Sequence, residues 1–136
     1  MEYTLKAIST SGSNGEIQLN HHLIPFGITV ENDEENPIPV DFFNASLGAC
    51  VLKNVERLSS IMNFDYTKAE IELTANRINK PTNISSIRYK LKVYSSDTIN
   101  LNLLKKNIEN HGTIYNTVKQ VCKISGNIEL INSTIL

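Results

Sequence analysis

Cys50 and Cys122 are the residues of this chain whose type is best suited to covalent chemistry. A cysteine thiolate is a nucleophile, and its sulfur can be oxidised or joined to another thiol in a disulfide. Cys50 closes the run Ala45-Ser46-Leu47-Gly48-Ala49-Cys50, which leaves so little bulk around the sulfur that a backbone or a second subunit can approach it closely. The simpler alternative is a small apolar residue in a tight helix contact, because a buried free cysteine behaves as a hydrophobe. Cys122 alternates with Ile124 on an apolar face and reads most simply as core; it can bridge to Cys50 only if their Cα atoms come within about 7 Å. His111 ends a helical segment, either as a general base for the thiol or, more simply, as a helix-end charge complement. Tyr115 either lines a pocket or packs in the core. His21 and His22, adjacent in a strand, point to opposite faces and form no chelate. With no Cys or His cluster at ligand spacing, and no phosphate loop, dinucleotide fingerprint or serine elbow, neither a metal site nor a cofactor is expected.

The stretch from Pro37 to Met62 must position Cys50. Pro37 and Pro39 forbid helix before Val40 and suit a first helical turn, and Asp41 favours the positive helix start. Leu47, Val51, Val55, Leu58 and Met62 then step by four, four, three and four, which makes one buried stripe. Cys50 lies on its shoulder, with Phe43, Ser46, Asn54 and Arg57 above and below it on that flank.

Ahead of this helix, Tyr3 to Ala7 and Ile17 to Leu19 alternate as two strands around Asn-Gly turn chemistry, and Leu23 to Val30 reads as a third, so a three-stranded sheet is expected. Glu31 to Asn36 reads as a solvated acidic loop. After it, Lys68 to Thr74 and Ile87 to Val93 alternate as two long half-buried strands joined by Asn79-Lys80-Pro81-Thr82-Asn83. Ser96-Asp97 offers N-cap groups for a second helix with Leu101, Leu104 and Ile108 inward, and Gly112 suits the left-handed position past its end. Val121 to Leu130 returns as a last strand, with Gly126 a candidate bulge. The order is βββαββαβ, and strand runs around isolated helices argue α+β.

At 136 residues the chain is expected to be a single domain, 1–136, with a core that needs no staples. A net charge of −1 gives no basic stripe, so nucleic acid and membrane are not expected partners. The start, Met1-Glu2-Tyr3-Thr4-Leu5-Lys6, has no apolar signal core, which points to the cytoplasm, where two cysteines are more often free thiols than a bridge.

Pro39-Val40-Asp41-Phe42-Phe43-Asn44-Ala45-Ser46-Leu47-Gly48-Ala49-Cys50 resembles the signature around the first cysteine of the OsmC/Ohr family, and the order of later elements is similar over nearly the whole chain. The resemblance implies a long central cysteine-bearing helix, an intertwined homodimer with sites at the subunit interface, and thiol-dependent reduction of organic hydroperoxides. It places Cys50 at the peroxide-reactive position and Asp41 at the acidic position of the broader pattern, the two catalytic candidates; Phe43, His111 and Tyr115 are candidates to line a pocket. The family's second cysteine precedes a run matched here by Thr113-Ile114-Tyr115-Asn116-Thr117, so its position is held by Gly112, and Cys122 lies ten residues further on. The arginine that peroxidase members carry in the amino-terminal sheet has no counterpart, since Arg57, Arg77 and Arg88 all follow Cys50.

Three functions stay open. The first is a one-cysteine peroxidase of the oxidative-stress response, recycled by an external thiol reductant. The second is a non-enzymatic dimer binding a small apolar ligand at its interface. The third, weaker, is a redox-sensing Cys50–Cys122 pair.

Overall fold

In the computed structural model, which describes residues 1–133, the chain runs as three strands, a long helix, two strands, two helices and a last strand. The class is α+β as expected, with one short helix more than the periodicity showed. The chain divides into two compact units, Met1–Phe43 and the part from Asn44 onward.

In the first unit β1 (Lys6–Ser9), β2 (Gly15–Leu19) and β3 (His22–Phe26) form an antiparallel sheet in that order. The expected sheet is there, but its first strand starts at Lys6 and its third stops at Phe26 instead of Val30. The early stop has a local cause. Asn32 Oδ1 accepts from the backbone N–H of both Ile28 and Thr29, each at 3.1 Å, and Gly27 N–H donates to Pro37 at 2.9 Å. Those donors are therefore withdrawn from strand pairing, and residues 29–36 fold into turns with Glu31, Asp33, Glu34 and Glu35 exposed, in keeping with the solvated acidic loop expected there.

Helix α1 (Pro39–Ile61) begins as its sequence dictates. Pro39 takes the first helical position, and Asp41 Oδ2 accepts from Ile38 N–H at 2.9 Å, the reach-back half of a capping box.

In the second unit β4 (Lys68–Asn79) pairs antiparallel with β5 (Thr82–Ser95) across a turn at Lys80-Pro81. Strand β6 (Lys123–Asn132) pairs with β5 in parallel, which requires a crossover. Ile87, Tyr89, Leu91 and Val93 turn inward and are at most 2% exposed. On α1, Leu47, Val51, Val55 and Leu58 are buried as expected, and Gly48 rests on Leu73 and Ile71 of β4.

Helix α2 (Leu101–Asn110) buries Leu104 and Ile108, but its N-cap is Asn100, whose side chain accepts from Leu103 N–H at 3.1 Å. Ser96 and Asp97 do not cap it. Asp97 Oδ2 instead accepts from Asp65 N–H at 2.7 Å, and Asp97 N–H donates to Ser95 Oγ at 2.9 Å, so Asp97 fastens the chain past α1 to the end of β5. Helix α3 (Thr113–Val118) was not expected: at six residues it is too short for apolar periodicity to emerge, and only Tyr115 and Val118 mark its buried side. Gly126 makes no bulge. It stays in register opposite Tyr89, whose ring lies where a Cβ on residue 126 would be.

Candidate active site at Cys50

Cys50 is half-buried on α1, one residue before the fully buried Val51 and four before Asn54, which is only 6% exposed. Residues four apart share a helix flank, so the amide of Asn54 lies one turn beyond the sulfur on the same side. Facing them is the corner between α2 and α3. His111 is extended there, at φ −131° and ψ 157°, and Gly112 follows at φ 103° and ψ 127°.

That backbone is open to glycine and closed to most other residues. Space imposes the same choice, since a Cβ on Gly112 would fall 2.7 Å from Cys50 Sγ and 2.5 Å from Asn54 Nδ2. The sulfur is thus packed against bare backbone. Gly112 does have a positive φ, but it is the N-cap of α3 and its carbonyl accepts from Asn116 N–H at 2.9 Å. Asn54 Nδ2 donates to the His111 carbonyl at 2.9 Å and holds the corner against α1. The His111 side chain is exposed, so the part of this residue that meets α1 is its carbonyl.

Tyr115 is buried, 3% exposed, on the first turn of α3. Burial, with the carboxylate of Glu109 adding to it, pushes its phenol up to about 12. Burial first, then Tyr115 and Glu109, push the phenol of Tyr89 up as well. Cys122 is buried just before β6, and its S–H donates to the Ile84 carbonyl at 3.1 Å; both cysteines are free. Asp41 and Phe43 sit in the first two turns of α1, with Asp41 engaged in the helix start. Among the described residues no group of three His, Cys, Asp or Glu could hold a metal ion, and no helix is long and apolar enough to cross a membrane.

Asn54 is the neighbour that sequence reasoning placed on the flank of Cys50 without giving it a task. Its signal was a polar residue within an apolar stripe, four positions from a candidate nucleophile.

The sequence profile of the OsmC-like proteins matches residues 32–126, from the turns before α1 into β6. This chain belongs to the OsmC family. Solved OsmC-like folds agree with its architecture. The OsmC like protein from Mycoplasma pneumoniae is similar at a TM-score of 0.86 with 15% identity, over 97% of this chain and 99% of that one. The organic hydroperoxide resistance protein OsmC from Legionella pneumophila is similar at 0.66 with 12% identity, over 93% and 97%. The organic hydroperoxide resistance protein OhrB of Bacillus subtilis is similar at 0.65 with 16% identity, over 93% and 98%. At these identities the likeness is one of fold. No curated protein matches the sequence.

Proposed function

We propose that this OsmC family member is a one-cysteine thiol peroxidase, in which Cys50 reduces a hydrophobic organic hydroperoxide and an external thiol regenerates it. The observation that carries the reading is the packing of Cys50 Sγ against Gly112. Gly112, which the resemblance sets at the second-cysteine position, presents only backbone to the sulfur. Neighbours in fold include organic hydroperoxide resistance proteins, which supports the substrate class. The bond from Cys122 to the Ile84 carbonyl supports a structural place for the second thiol.

The Cys50 thiolate attacks the outer oxygen of the hydroperoxide, the O–O bond breaks, the alcohol leaves with a proton, and the sulfur becomes a sulfenic acid. An external thiol then displaces water to give a mixed disulfide. A second thiol releases Cys50 and departs in the oxidised, disulfide-linked reductant. Asp41 contributes by fixing the start of the helix that carries the sulfur.

The working form in this reading is a cytoplasmic homodimer. Free cysteines suit that compartment. Ile8 and Leu23, exposed on the face of the first unit's sheet that Glu16 and Gln18 share, offer apolar surface to a second copy.

The test is dithiothreitol-dependent consumption of cumene hydroperoxide by wild type, Cys50→Ser and Cys122→Ser. Turnover lost only in Cys50→Ser is the expected result. Loss in both variants would make Cys122 a resolving thiol, and no turnover in wild type would overturn the reading in favour of a non-enzymatic dimer that binds an apolar ligand.

A further inference from the structure

Asn54 is a polar residue on the buried face of α1, beside Val51, Val55 and Leu58. A buried amide costs stability unless its hydrogen bonds are made, so the partners of Asn54 are informative. Nδ2 donates to the His111 carbonyl at 2.9 Å. A backbone carbonyl can only accept, which fixes the end of the side chain that is nitrogen. That nitrogen carries two hydrogens, and the second has no hydrogen-bond partner among the described residues.

The same nitrogen lies 2.5 Å, and Cys50 Sγ lies 2.7 Å, from the one point that a Cβ on Gly112 would occupy. Asn54 Nδ2 and the sulfur are therefore neighbours across a space that glycine keeps clear. The hydrogen bond that Nδ2 makes in the structure is the one to the His111 carbonyl, and none joins it to the sulfur. A neutral amide suits this place, because it can donate to an anion without itself adding a buried charge.

We propose that Asn54 is a further catalytic residue, whose second Nδ2–H donates to the Cys50 sulfur when that atom is negatively charged, while the first holds the His111 carbonyl. Hydrogen bonds to a charged acceptor are roughly twice as strong as neutral ones, so the donor favours the anion over the thiol. Its purpose rests on the peroxidase reading. Its test does not, because alkylation of the sulfur needs no peroxide.

The experiment follows the rate at which iodoacetamide alkylates Cys50 at neutral pH, read from the mass of the Cys50 peptide, in wild type, Asn54→Leu and Asn54→Asp. Removing the donor takes away a hydrogen bond made to the negatively charged sulfur, so Asn54→Leu should react about three- to tenfold more slowly. Asn54→Asp, which sets a carboxylate beside the sulfur, should be slower still. A purely structural role predicts the opposite sign, because loosening the corner exposes the thiol and speeds alkylation. A rate in Asn54→Leu equal to or above that of wild type would overturn the proposal. Should that variant not fold, Asn54→Ser replaces it: its single hydroxyl proton is expected on the His111 carbonyl that the amide now holds, which leaves none for the sulfur, and slowing in the same direction is expected. Slowed alkylation in a protein without hydroperoxide turnover would leave this inference standing and remove the peroxidase reading; turnover with unslowed alkylation would do the reverse.

Discussion

Asn54 Nδ2 of α1 donates to the carbonyl of His111, 57 residues later, at 2.9 Å. His111 is the C-cap of α2, and the carbonyls at a helix end have no partner within the helix. One side chain therefore satisfies such a carbonyl and pins the corner beside the sulfur.

Cutting that bond should be felt in stability. Asn54→Ala leaves the carbonyl unsatisfied and should lower the unfolding free energy by about 1–3 kcal/mol, measured by urea denaturation. A loss below about 0.5 kcal/mol would mean that solvent reaches the carbonyl easily.

Gly112→Ala meets two penalties at once. The positive φ alone costs of order 1–3 kcal/mol for a residue with a Cβ, and that Cβ collides with Cys50 Sγ and Asn54 Nδ2. A lower urea midpoint and faster alkylation of Cys50 by iodoacetamide should appear together. An alanine variant as stable as wild type would show that the corner relaxes without cost.

Tyr89 and Gly126 should be coupled. Gly126→Ala places a methyl inside the space of the Tyr89 ring, with an expected loss of about 1–3 kcal/mol. Tyr89→Leu withdraws the ring, so the same alanine should cost much less in that background. A double-mutant cycle of thermal melts with no coupling would refute the contact.

Alkali should unfold this protein through its phenols. Tyr115 is pushed up to about 12 by burial and Glu109 from an ordinary value of 10.0, and Tyr89 is pushed up by burial with Tyr115 and Glu109 near it. The unfolded chain ionises these groups near pH ~10 while the folded chain still holds their protons. Their contribution is therefore whole below pH ~10 and is lost as pH rises toward 12. The urea midpoint should fall across that window, less steeply in Tyr115→Phe; an identical slope in the variant would count against the assignment.

The parts of the fold that repeat were legible in the sequence, and the parts that depend on one contact were not. The stripe of Leu47, Val51, Val55 and Leu58 and the alternation from Ile87 to Val93 each carry many consistent residues, and both are buried as read. The cap of α2 was misread because Ser96, Asp97 and Asn100 all have capping side chains, and Asp97 is taken by Asp65 N–H, a partner 32 residues away. Strand β3 was overrun because Asn32, a single amide, decides where it stops. At the candidate site the resemblance assigned Gly112 to the second-cysteine position, whereas the contact of that glycine with Cys50 and Asn54 exists only once α1 and the α2–α3 corner are brought together.

The parallel pairing of β5 with β6 sets the order in which this site can be completed. Tyr89 cannot find Gly126 until the whole connection through α2 and α3, with His111 and Gly112 inside it, has been laid down. Cys50 precedes all of it in the chain. Synthesis adds about 5–20 residues per second, so each new molecule carries the Cys50 sulfur bare for several seconds before the backbone that covers it exists. Oxidation of this thiol therefore meets less hindrance on the nascent chain than in the finished fold, where Cys50 is half-buried.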